Sequence, residues 1–105
     1  MALIIWQDAA VCHLRAIYDY YRENASAEVA ARILLDLQNA PDILASFPEA
    51  GSEEKGFSHL SSNLRYLVVR KNYKIIYLYE NNICSILAIW DVRQNPEQLQ
   101  EMKFN

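Results

Sequence analysis

The chain has 105 residues, ten Lys and Arg against thirteen Asp and Glu, and a formal charge of −3. That length suits one domain with its own core, and 52% hydrophobic against 22% charged residues is too apolar for a disordered chain. Two glycines and three prolines exclude collagen-like and low-complexity architectures, no apolar run reaches the ~20 residues of a membrane span, and a mildly acidic total argues against a nucleic-acid partner.

Residues 3–6 (Leu-Ile-Ile-Trp) form an apolar run long enough for one strand. The opening segment lacks a basic n-region and carries Asp8, so no signal peptide is expected. Asp8 can cap a first helix, in which Ala10, Leu14, Ile17, Tyr18 and Tyr21 recur at helical spacing. Tyr20 points away from that stripe, which leaves it available to a partner. Asn24-Ala25-Ser26 interrupts the pattern, and Ser26 followed by Glu28 is a favourable helix start. The second helix buries Ala30, Ile33, Leu34 and Leu37, until Pro41 removes an N–H and disfavours helix at Ala40. A short piece with Ile43, Leu44 and Phe47 follows. So brief a connection makes the two helices an antiparallel hairpin.

Residues 48–63 hold both glycines and four serines and read as a surface loop, long enough to be functional. The grammar then changes to strands. Residues 64–70 and 73–80 are β-branched and aromatic, with Lys71-Asn72 as the turn between them. Asn81-Asn82 makes a second turn into residues 83–90, an almost continuous apolar run that marks a central strand. Asn95-Pro96-Glu97 resembles a cap with Pro in the first helical position, opening a tail or short helix over 96–105. The reading is a single α+β domain over 1–105. Its order is β-α-α-β-β-β, an α-helical hairpin packed on a small, mainly antiparallel twisted sheet.

Cys12 and Cys84 form no CxxC motif, which fits the reducing cytoplasm. With His13 and His59 they lack metal-ligand spacing, and adjacent Cys12 and His13 diverge by about 100 degrees on a helix, so no metal or cofactor is expected. Cys84 reads as strand core, and Trp6 and Trp90 as core. Ser58, His59 and Asp91 supply the residue types of a hydrolytic triad but no nucleophile elbow. Tyr73, Tyr77 and Tyr79 share one strand face, which suits cross-strand packing and also partner binding. Arg70 and Lys71 flank a turn and read as solubility charges.

The order of these signatures resembles the RelE/ParE superfamily of bacterial type II toxins, also called plasmid-stabilisation proteins. The residues that carry the resemblance are Ile5-Trp6 with Ala9-Ala10, and Leu14, Ile17, Tyr18, Tyr20 and Tyr21 on the first helix. Ser26 and Ala30 follow, then Phe47-Pro48-x-x-Gly51, Leu64-Arg65-x-Leu67-Val68-Val69, residues 72–77 and Ile89-Trp90-Asp91-Val92-Arg93-Gln94-Asn95-Pro96. The resemblance implies a cytoplasmic toxin neutralised by a cognate antitoxin, touching operator DNA only through that antitoxin. An isolated toxin can pair with itself through faces the antitoxin would cover.

Two activities go with the superfamily. ParE-like members poison DNA gyrase, and RelE-like members cut mRNA on the ribosome. Cleavage needs cations on the phosphate and groups to move protons. By resemblance Arg65, Lys74 and Arg93 are the catalytic candidates for a RelE-like mRNA interferase. Leu67 stands where another basic residue would fall, and the chain after Asn95 lacks the catalytic Tyr or His of that branch. The ParE-like branch is therefore favoured, with Tyr20, Arg65, Tyr73, Asp91 and Arg93 as partner-binding candidates. A ribosome-dependent endonuclease and a non-toxic protein of the same fold are the alternatives. Equally, Arg65 and Lys74 suit the solvated face of a sheet, and Arg93 suits an ion pair with Asp91.

Charge is unevenly spread along the chain. Residues 1–63 hold four basic and nine acidic side chains, a balance of −5, whereas residues 64–96 hold five basic and two acidic, a balance of +3. The sheet is therefore locally basic, and the total of −3 does not exclude an anionic partner.

Overall fold

A computed structural model describes residues 1–53 and 63–93 of the chain. Strand β1, Leu3–Trp6, leads directly into helix α1, Asp8–Asn24. Gln7 occupies the cap position and caps nothing with its side chain; Asp8 lies in the first turn, where its charge suits the helix dipole. The cap position thus falls one residue before the expected Asp8 and carries no side-chain cap, while Gln7 N–H is bonded to the carbonyl of Ile86 as an extension of the strand.

Ala25 and Ser26 turn the chain into α2, Ala27–Asn39. Ser26 is extended, and its Oγ accepts the Val29 N–H at 3.1 Å. Pro41 converts the end of α2 into a 3-10 helix, Ala40–Ala45. Ala40 keeps helical angles despite the following proline. The tighter turn absorbs the restriction, and Pro41 and Leu44 are fully buried beneath it.

The sheet has five strands in the order β1-β5-β4-β3-β2. Strands β3 (Leu64–Val69), β4 (Tyr73–Glu80) and β5 (Ile83–Asp91) form an antiparallel meander. β1 lies parallel to β5, so β5 is an interior strand paired on both sides, as its apolar run implied, and β4 occupies the centre of the sheet. Within the expected loop, Ser52–Glu53 forms a two-residue strand, β2, against Arg65 and Tyr66. The β3–β4 turn is shifted from the expected Lys71-Asn72. The left-handed residues are Arg70 and Lys71, with φ of 53° and 67°. Arg70 also donates to Asp36 at 2.5 Å, so this charge ties the turn to α2 and is more than a solubility charge. Asn81 and Asn82 are left-handed as expected.

The helices cover one face of the sheet. Leu14, Ile33, Leu37 and Leu44 pack there against Tyr73, Ile75, Tyr77, Cys84, Ile86 and Ile89. Tyr18 is half-buried and lies outside this cluster, although Ile17 and Tyr21 pack against it. A smaller cluster of Leu64, Ile76 and Trp90 sits on the opposite face. A bulge in β5 separates the two patterns: Ile76 opposes Ala88 and Tyr77 opposes Ile86, leaving Leu87 as the extra residue. Trp90 is buried, as expected, but away from the helices; Trp6 is half-buried against the helix-side core.

Candidate functional site: the cleft between α1 and the end of β5

β1 accompanies β5 only from Ile83 to Ile86. Beyond that point α1 lies along the strand, and a cleft of about 510 Å³ opens between them. His13, Ala16, Ile17 and Tyr20 line it from α1, spaced as one helix face, and Tyr73, Ile89, Asp91 and Arg93 line it from the sheet side. His13 replaces the missing strand. Its Nδ1 accepts the backbone N–H of Ile89 at 3.1 Å. That nitrogen is therefore unprotonated and the proton resides on Nε2. Burial holds the imidazole's pKa below its ordinary value, which keeps the acceptor available.

Asp91 and Arg93 form a clip at the mouth. Arg93 Nε and Nη2 donate to the two carboxylate oxygens at 2.9 and 2.7 Å, and its backbone N–H donates to Oδ1 at 2.9 Å. These bonds from Arg93 hold the Asp91 carboxyl below the usual carboxylate range. The same ion pair raises the already high pKa of the Arg93 guanidinium. Behind the clip, the Tyr73 hydroxyl donates to that of Tyr21 at 3.0 Å. Burial and this bond push the Tyr73 phenol well above its ordinary value, so it stays a neutral donor. Tyr20 is 58% exposed at the rim, its ring set edge-on to Tyr21 at 5.1 Å.

Four of the candidate residues thus meet in one place: Tyr20, Tyr73, Asp91 and Arg93. Arg65 and Lys74 do not join them. Arg65 opposes Tyr77 on the helix-side face, and its Nη1 donates to the carbonyls of Glu49 at 3.2 Å and Gly51 at 2.8 Å. Lys74 opposes Val68 on the other face, with Nζ 4.2 Å above the ring of Tyr66. The sheet therefore stands between Arg65 and Lys74.

The sequence profile of the family described as ParE toxin of type II toxin-antitoxin system, parDE, matches residues 4–96. The chain belongs to the ParE toxin family. Among solved structures it is similar to a chain of the chromosomal ParDE toxin-antitoxin system from P. aeruginosa, with 22% identity and a TM-score of 0.73. That match covers 88% of this chain and 97% of the other. No curated protein matches by sequence. The β-α-α-β-β-β order of this ParE family member, with its short additional β2, agrees with that fold.

Within the ParE framework, His13 is the cleft residue that reading the sequence for metal ligands passed over. Its spacing from Ala16, Ile17 and Tyr20 was the available signal. Cys12 is exposed and Cys84 buried, both as free thiols. Among the described residues no three His, Cys, Asp or Glu side chains gather as a metal site. Ser58, His59 and the expected tail or short helix over 96–105 lie outside the described residues. No helix among the described residues is long and apolar enough to cross a membrane.

Proposed function

We propose that this ParE family member arrests growth by binding DNA gyrase through the α1–β5 cleft, and that a cognate antitoxin neutralises it in the cytoplasm. The observation that carries this reading is the separation of the basic residues. Arg65 is engaged by the carbonyls of a turn, Lys74 lies over an aromatic ring on the opposite face, and Arg93 is clipped to Asp91. A phosphate-cleaving centre needs its cations to converge on one group. An exposed tyrosine beside a bidentate Arg–Asp pair is instead the composition of a protein-binding hot spot. Purified protein added to a gyrase supercoiling assay is expected to stop supercoiling or to accumulate cleaved DNA. Arg93→Ala and Tyr20→Ala should weaken this effect at least tenfold while the fold persists. Full supercoiling at stoichiometric excess of the unmodified protein would overturn the proposal.

A second reading draws on His13. With its Nδ1 taken by the Ile89 N–H, the imidazole in the same cleft as Arg93 offers Nε2–H as a donor to a phosphate or leaving-group oxygen, a role the tail was expected to lack. It belongs to a RelE-like ribosome-dependent endonuclease, which would cut transcripts in the ribosomal A site and lose that activity in His13→Ala. Intact transcripts during translation with the unmodified protein remove it. Normal growth after induction in a bacterium without an antitoxin would instead indicate a non-toxic protein of this fold.

A further inference from the structure

The turn that follows the 3-10 helix is held far more firmly than a surface turn requires. Phe47 N–H bonds the carbonyl of Ile43 at 2.9 Å, and Ala50 N–H bonds that of Phe47 at 3.0 Å. From beneath, the buried Tyr77 hydroxyl donates to the Pro48 carbonyl at 2.8 Å and accepts the Gly51 N–H at 2.9 Å. Arg65 holds the carbonyls of Glu49 and Gly51. A Cβ on Gly51 would lie 2.7 Å from the Tyr66 carbonyl and from the Tyr77 ring, so only glycine allows this approach. What this scaffold presents outward is apolar: Phe47 is 64% and Ile43 52% exposed. With Pro48 and Ala50 they line a groove of about 480 Å³.

Large apolar side chains fixed rigidly at the surface mark an interaction site, since little ordering entropy remains to be lost on binding. The charge around the groove indicates its occupant. From Asp36 to Glu53 the chain carries four acidic residues and no Lys or Arg; Asp36 is paired with Arg70, and Asp42 and Glu49 are the acids at the groove. Glu49 lines the groove itself, its side chain 69% exposed and only loosely paired with Arg65 at 3.8 Å, and exposed Asp42 precedes Ile43. An anionic membrane surface or an acidic peptide would be repelled there. We infer that the Ile43–Ala50 groove docks an amphipathic helix of a protein partner, one whose apolar face is flanked by Lys or Arg. This surface is separate from the α1–β5 cleft, and its test does not depend on what the toxin targets.

A synthetic amphipathic helix of about five turns, with Leu and Phe along one face and Lys along both flanks, is titrated into the isotope-labelled full chain. Amide shifts are expected to concentrate at residues 43–50. A counterpart with Glu in place of Lys should bind at least about tenfold more weakly, as should the Lys peptide to Phe47→Ala. Asp42→Asn with Glu49→Gln should flatten the salt dependence. Because Phe47, Asp42 and Glu49 are exposed, these variants should melt at the same temperature as the parent. Equal binding of the two peptides, shifts centred elsewhere, or undiminished affinity in Phe47→Ala would each overturn the inference. So would self-association of the parent that Phe47→Ala abolishes, which would make the occupant a second copy.

Discussion

Tyr77 joins two parts of the molecule that are distant in sequence, because its ring is fully buried in the sheet core while its hydroxyl organises the turn at 48–51. Tyr77→Phe keeps the ring and leaves a buried N–H and a carbonyl without their partner. It is expected to cost about 1–3 kcal/mol in denaturant unfolding, with amide exchange accelerated at Gly51. The aromatic stripe was legible in the sequence; the bond to Gly51 was not, because alternation says which face a side chain takes and nothing of a contact 26 residues away. His13 gives the second prediction at this scale. Its folded-state pKa lies below the ordinary 6.5. The stabilisation from its bond to Ile89 is therefore complete above pH 6.5 and is lost as pH falls through the folded value. Asp91, Arg93, Tyr20 and Tyr73 share the cleft with it, and Arg93 holds the Asp91 carboxyl below the usual carboxylate range. Thermal melts between about pH 8 and pH 5 should show His13→Ala destabilised by about 1–3 kcal/mol at neutral pH, with a shallower loss on acidification.

At the scale of elements, boundaries were legible wherever a residue has a local reason to stop or start. Ser26 accepts the Val29 N–H as its position implied, and Ser26→Ala should lower stability by about 1 kcal/mol, read as a lower midpoint in urea with an unchanged slope. The Asn81-Asn82 turn followed the same local logic. Elements set by long-range pairing were hidden. β2 is two residues long and has no apolar pattern of its own; it exists because Arg65 and Tyr66 offer it an edge and Tyr77 holds the preceding turn. The β3–β4 turn likewise adopts left-handed angles at Arg70 and Lys71, which register with β4 and the Arg70–Asp36 bond impose against local preference.

For the whole molecule, the first and last strands described are neighbours. β1 pairs in parallel with β5, and Ala2 N–H bonds the Ala45 carbonyl at 2.8 Å. Removing residues 1–6 would uncover β5 and withdraw Ala2, Ile4 and Trp6 from the core. At about 1.5–3 kcal/mol per large apolar side chain, against a typical domain stability of 5–15 kcal/mol, the truncated chain is expected to lose cooperative thermal unfolding by circular dichroism. The general architecture could be read from hydrophobic period alone. The cleft could not, since it joins residues 13–20 of α1 to the end of β5, about 70 residues apart in sequence. Residues named singly in the sequence, Tyr20, Tyr73, Asp91 and Arg93, line that one cleft.

The extra residue at Leu87 gives β5 something like a reading frame. Counted from Ile83 in strict alternation, Ile89 and Asp91 would fall on the face away from the helices and Trp90 would be driven under α1. The bulge shifts the frame by one, and the observed assignment results. Deleting Leu87 should therefore leave every residue after it in frame and spare the cleft. Inserting one residue between Ala88 and Asp91 should invert the strand end and empty the cleft of its charged pair. Single-residue length changes here would then sort into silent and disabling classes by position alone, independently of which amino acid is added or removed.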